Sequence, residues 1–420
     1  MLRPLPALPL LALLFAGGVL LAPATAAAVP ALPAVQEDDE EKYKFREDPY
    51  TEDDPEAWAA AGYLGRDRMK WGDGHGTVDI DQALGGVEVL WVETAHFRIG
   101  CSLPEYKIDS DSKDEKEKIR AELKLLQERI PSVPLKPKRL DKWLRLHLYA
   151  MRLETLYEEI ETLLGVTEED LPTGPGQLKN GEYMGEGPYL GMTEKFTVLL
   201  FEKESSVGRY RNRYVGQSGS EPTRHLWPQT GTMLFVAAQE NPGLASDTTM
   251  HCMVAYAVTL NLINGFKYYT HELPSWVPVG LGHWFARQVN PKRNYFTEDR
   301  IFSEDDKDVW DWAPRVRARV DHEYFPGMTK VFEWKDPLAM KPVEHMMSWA
   351  RVDYLMHNDR DGLARFVDAM TGRLAGAGQV ITPDIVFARQ PAAFEEAFGV
   401  SPAEMDAAFA EWVLENYPKK

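Results

Sequence analysis

Between Thr248 and Arg287 the chain reads TTMHCMVAYAVTLNLI, then a short connector, then LPSWVPVGLGHWFAR. This pattern predicts two apolar helices joined by a loop, with His251 on the first and His283 on the second. Asp247 stands where the first helix would take its N-cap. The rest of the chain is organised around this pair. Its 420 residues suffice for one large domain or two smaller ones, each with a full core.

Ahead of the pair, strand and helix signals alternate. Val87–Gly100 has two short stretches of β-type pattern. Lys113–Glu128 is a charged helix with an apolar stripe at Ile119, Leu123 and Leu126. After the Pro-rich break at residues 131–137, Asp141–Leu164 is the longest helical run, with Gly165 placed as its C-cap. Phe196–Phe201 and Thr232–Ala238 read as strands, and Ser205–Tyr214 as a helix between them. This order predicts an α+β fold, a small mixed sheet packed on helices. The segment Trp71–Gly86 is turn-rich and brings His75, Asp79 and Asp81 close together. Polar turns before a strand account for it, and a metal loop is the alternative, although the spaced oxygen ligands and closing Glu of a calcium loop are absent. From Pro291 to about Pro342 the chain is aromatic and acidic with weak periodicity. The last quarter is helical: Val343–His357, Gly362–Met370, Ala392–Phe398 and Ser401–Tyr417, the last opened by a Ser401–Glu404 capping box.

The first 28 residues have the form of a secretory signal peptide. Arg3 supplies the basic end, Leu8–Leu21 the apolar core, and Ala24-Thr25-Ala26 or Ala26-Ala27-Ala28 the cleavage site. A retained membrane anchor is the other reading of this segment. Residues 29–57 read as a disordered acidic linker, with order beginning near Trp58. Residues 37–54 hold ten acids against three bases, and the whole chain carries a formal charge of −18. Such a balance argues against nucleic acid or an anionic membrane surface as partner. No later segment is apolar for long enough to span a bilayer, so the expectation is a secreted or periplasmic protein. Cys101 and Cys252 are the only cysteines. They form one disulfide in an oxidising compartment or remain two buried thiols, and the sequence leaves both open.

Taken together, ETAHFRI, LETLYEEIETLLG (Leu153–Gly165), FTVLLF before a helix opening with two serines, the His251 helix, PSWVPVGLGHWFAR and the tail FEEAFGVSPAEMDAAFAEWV carry a family resemblance. The arrangement resembles the gluzincin-like "peptidase MA" domains of exported bacterial proteins, over roughly residues 90–417. The resemblance implies a thermolysin-like zincin domain over residues 58–290. Its small mixed sheet packs on an active-site helix, and a mainly helical C-terminal lobe, residues 291–420, closes a cleft. It also implies an H-E-x-x-H motif on that helix, in which two histidines bind zinc and the Glu activates water. Here those positions read His251, Cys252, Met253, Val254 and Ala255. On the second helix Pro274, Trp276 and Gly280 match the family, but the Glu ligand position is Val279. Three of the four residues that define the chemistry are therefore absent.

One imidazole cannot hold a catalytic zinc ion. The residues leave two rearranged sites to weigh. His283 lies four residues after Val279, hence on the same helix face, and can approach His251 to share a metal. Cys252 can serve as a thiol nucleophile, although neighbouring residues on a helix diverge by about 100°. His271-Glu272 is followed by Leu273-Pro274-Ser275 and cannot complete the motif. The expectation is an exported, catalytically inactive pseudo-peptidase without zinc. Its former active-site cleft, with His251, Cys252, Ala255, Trp276, Val279 and His283 as candidate lining, binds a peptide or cell-envelope ligand. A hydrolase with a rearranged site, metal-dependent through His251 and His283 or thiol-dependent through Cys252, is the alternative. A weaker third class is carbohydrate binding on Trp310, Trp312 and Trp334.

Overall fold

A computed structural model of the chain describes residues 47–66, 68–72, 74–108, 112–294, 311–374 and 380–419. In chain order its elements begin with α1 (Pro55–Ala60), β1 (Gly65–Arg66), α2 (Thr77–Ala83), β2 (Leu90–Glu93), β3 (Phe97–Cys101) and β4 (Tyr106–Lys107). Then come α3 (Lys113–Arg129), β5 (Arg139–Leu140), α4 (Lys142–Leu164), β6 (Phe196–Phe201), α5 (Glu204–Tyr210), β7 (Thr223–Trp227) and β8 (Thr232–Ala238). The two apolar helices are α6 (Asp247–Gly265) and α7 (Trp276–Val289). Beyond them lie α8 (Trp312–Asp321), α9 (Met328–Val331), α10 (Pro342–Asn358), α11 (Arg360–Met370), α12 (Pro383–Phe398) and α13 (Pro402–Asn416).

The fold is α+β. Six strands form one mixed sheet in the order β1-β2-β3-β6-β8-β7, while β4 and β5 pair separately. The three central strands β3, β6 and β8 run parallel, and β7 closes one edge antiparallel to β8. FTVLLF and TMLFVAA are buried along their whole length, as continuous apolar runs must be when both sheet faces are covered. The pleat divides their side chains. Val198, Leu200, Phe235 and Ala237 enter the main core with α4 and α6. Leu199, Phe201, Leu234 and Val236 enter a smaller core on the other face, together with Trp71, Trp91 and Tyr210.

Helix α4 starts on Asp141, whose carboxylate accepts the Leu144 N–H at 3.0 Å, and stops on Gly165 at φ 66°. Helix α6 departs from expectation at its start. Ser246 is the cap and accepts the Thr249 N–H at 3.1 Å, and Asp247 lies inside the first turn with its side chain fully buried. The cap frees Asp247 to turn inward. Helix α7 runs between α6 and α10 at a separation only glycine allows. A Cβ on Gly280 would sit 2.6 Å from the Ser348 carbonyl oxygen of α10. One on Gly282 would sit 2.5 Å from Leu260 Cδ1 and 3.0 Å from the Tyr256 carbonyl oxygen of α6.

The described residues, from Glu47 onward, pack as one compact unit with a helical C-terminal region. Order begins earlier than the expected boundary at Trp58: Asp48 is fully buried, with Oδ1 3.2 Å from His147 Nε2. The expected leader at residues 1–28 lies outside the described residues, as do residues 29–46 of the expected linker. Strand β7 lies in a stretch for which the sequence predicted no element, α8 falls in the weakly periodic stretch, and α12 begins at Pro383 with Pro391 inside it. Trp312 and Trp334 are core side chains, which removes them as a sugar-stacking surface; Trp310 lies outside the described residues. No helix among the described residues is long and apolar enough to cross a membrane.

Candidate functional site

The face of α6 that carries His251 looks into a cleft of about 350 Å³. Helices α3, α4, α6 and α7 form its walls. His251 and Ala255, one turn apart, lie side by side on the α6 wall, with Thr248 a turn earlier. Opposite them α3 presents Ile119, Glu122 and Leu125, and α4 presents Met151, Arg152 and Leu156. The tail of α7 adds Phe285 and Val289. Lys118 of α3 ties those walls together by donating to the carbonyl oxygens of Gln288, at 3.0 Å, and Val289.

Polar groups gather at the His251 end. Arg152 donates from Nε to Glu122 Oε1 at 3.2 Å and from Nη2 to Glu122 Oε2 at 2.6 Å. The same Nη2 donates to Asp247 Oδ2 at 2.8 Å. On the far side of Asp247, Arg145 Nη2 lies 3.7 Å from Oδ1. Burial alone would raise the Asp247 carboxyl, but the two guanidinium groups hold it below its ordinary value. His251 Nδ1 stands 3.6 Å from Glu122 Oε1, and its side chain is 15% exposed. Burial first, then the Arg152 charge, push this imidazole well below its ordinary range, so it is neutral at pH 7.

The other expected cleft residues point elsewhere. Trp276 and Val279 are core side chains. Trp276 Nε1 donates to Gln390 Oε1 at 2.9 Å, and its ring lies against Phe366. His283 is fully buried between Tyr256 and Trp312, with Nε2 3.1 Å from His345 Nδ1. It is thus held in a histidine pair with α10 rather than turned toward His251. Cys252 is fully buried, and burial pushes its thiol up to about 12. Both Cys101 and Cys252 are free thiols. In the native protein neither should react with an aromatic disulfide reagent within minutes, and both should react once denatured. Fast native labelling of Cys252, followed by absorbance, would contradict the burial.

His75, Asp79 and Asp81 do not form a loop. His75 lies in the smaller core with Nε2 3.2 Å from the Tyr210 hydroxyl, which in turn lies 3.1 Å from His225 Nε2. Asp79 is in α2, and Asp81 Oδ1 accepts from Trp91 Nε1 at 3.2 Å. Among the described residues no three His, Cys, Asp or Glu side chains gather as a metal-ion site. The zinc ion implied by the resemblance does not fit the residues at its positions. His251 is the single ligand left, and the cation lying between Glu122 and Asp247 is a guanidinium. Sequence reading missed Arg152 and Glu122. The signal for Arg152 was two arginines, Arg145 and Arg152, seven residues apart on the apolar stripe of α4. Nothing local marks Glu122. No protein-family model, curated protein or solved structure matches the chain.

Proposed function

We propose that this chain is an exported, catalytically inactive relative of the gluzincin-like peptidases, a zincin domain that uses its former active-site cleft to hold a ligand. The observation that carries the reading is the cleft wall itself. Two positions that would ligate zinc, His251 and Ala255, border an open cleft in which only the first retains a ligating side chain. The mixed sheet followed by α6, α7 and a helical C-terminal region supports the fold assignment. The export assignment rests on the leader read from residues 1–28. Exchange of Glu for Cys252, His for Ala255 and Glu for Val279 removes charged and polar groups that a site without metal would otherwise bury unpaired.

The rearranged hydrolase has less support. His283 is engaged with His345, and the Cys252 thiol is buried with its ionisation suppressed. A thiolate nucleophile needs the opposite surroundings. Metal content of the mature protein, purified without a metal-affinity tag beside a His251→Ala variant, tests the proposal. The expected result is under about a tenth of an equivalent of zinc in both. Near one equivalent, lost in the variant, would mean that a metal centre exists and that the inactive reading is wrong.

A further inference from the structure

The walls of the cleft narrow what it can hold; this step rests on the reading that the cleft is a ligand site. Every lining residue belongs to α3, α4, α6 or α7. Inside a helix the N–H and C=O groups are paired with one another, so these walls offer no ladder to a second backbone. The open edge strand β7, where an extended peptide would add on, contributes nothing to the cleft. An extended peptide threaded here would lose water from its amides without replacing those hydrogen bonds. An aliphatic chain has no such requirement. It finds Ile119, Met151, Leu156, Val254 and Phe285 along the walls, and Leu125, an apolar side chain left 55% exposed.

One end of the cleft differs from the rest. Arg152 is 4% exposed at its side chain, and its Nη1 has no hydrogen-bond partner. Beside it stand the neutral imidazole of His251 and the Thr248 hydroxyl. Arg152 keeps one N–H without an acceptor after Glu122 and Asp247 have taken the others, and an oxygen at one end of an apolar ligand would take it. A volume of about 350 Å³ lies at the small end of ligand pockets and suits one chain of medium length rather than a two-tailed lipid. We infer that the cleft binds a single aliphatic acyl chain, its carbonyl or carboxylate oxygens directed to Arg152, His251 and Thr248. The chain comes either as a free fatty acid or as the acyl group of an ester.

Calorimetric titration of the mature protein with decanoate, methyl decanoate and an uncharged ten-residue Ala/Leu peptide tests this. Two variants accompany it: Thr155→Trp, at an exposed position on the cleft, and Ala255→Phe, which fills the α6 wall. At least one decanoyl probe should bind one to one, and each variant should weaken it by at least about tenfold without shifting the melting temperature. Tighter binding of decanoate identifies the free acid, and tighter binding of the methyl ester identifies an ester-linked chain. Chain binding that survives both variants would place the chain elsewhere and overturn the inference. If the peptide alone binds and both variants block it, the inference fails while the ligand cleft stands. If none of the three binds, both fail.

Discussion

Exchange of Arg152 for methionine should destabilise the fold by about 3–5 kcal/mol, the usual penalty for removing one partner of a buried ion pair. Methionine keeps most of the aliphatic stem, so the loss is electrostatic more than volumetric. The residue left behind decides the size. Asp247 is fully buried inside the first turn of α6, and its nearest remaining cation, Arg145, is 3.7 Å away. Glu122 is partly exposed and can turn to water. Urea unfolding would measure the difference, and an Arg152→Met/Asp247→Asn double variant would test its origin. With the guanidinium gone, neutralising Asp247 should recover part of the stability, whereas in the native background the same change should be destabilising. A loss under about 1 kcal/mol for the single variant would mean that the cluster does not hold α3, α4 and α6 together.

Acid should destabilise the protein well above the carboxylate range. Burial pushes His75 down to about 3, with His225 adding to the shift, and burial pushes His345 down to about 3. Both bind a proton near pH 6.5 when unfolded. The unfolded state therefore takes up protons first as pH falls, and the stability these two contribute is complete above 6.5 and lost between 6.5 and 3. By pH 5 each has given up about 2 kcal/mol, roughly 4 kcal/mol for the pair. His251 and His283, also lowered by burial, act with the same sign. His75 lies among Tyr210, Tyr214, Trp71 and Trp227, and His345 lies 3.1 Å from His283. Unfolding free energies at pH 7.5 and pH 5 that agree within about 1 kcal/mol would refute this. A His345→Gln variant should flatten the curve.

The parts of the fold legible in the sequence are those whose period is set by burial on one or both faces. The strands of FTVLLF and TMLFVAA, the run Asp141–Leu164 and the Ser401 capping box fall where local pattern put them. Strand β7 escaped because an edge strand is bonded on one side only; TRHLW is half-buried along most of its length and carries Arg224 and His225. The site was legible to the depth of one helix. Spacing four residues apart put His251 and Ala255 on a shared face, and both border the cleft. The same rule put His283 with Val279, but a shared face does not say what lies opposite. What lies opposite is α10 and His345. Glu122 reaches His251 from 129 positions earlier in the chain, a relation no local pattern encodes. Asp247 was misjudged because Ser246, next to it, is an equally good cap.

Gly280 and Gly282 press α7 against α10 on one side and α6 on the other, with no room for a methyl group on either. Helices meeting at that distance do not slide past one another without a collision of backbones. The α6 and α7 walls of the cleft therefore form a fixed jaw, and any change of bore must come from α3 or α4, which the Glu122 bonds to Arg152 join to each other and the Lys118 contacts tie to the end of α7. A vessel with a rigid side measures what enters it. Chains of increasing length should fit until the jaw is full, and then affinity should fall abruptly with the next two carbons rather than decline by degrees.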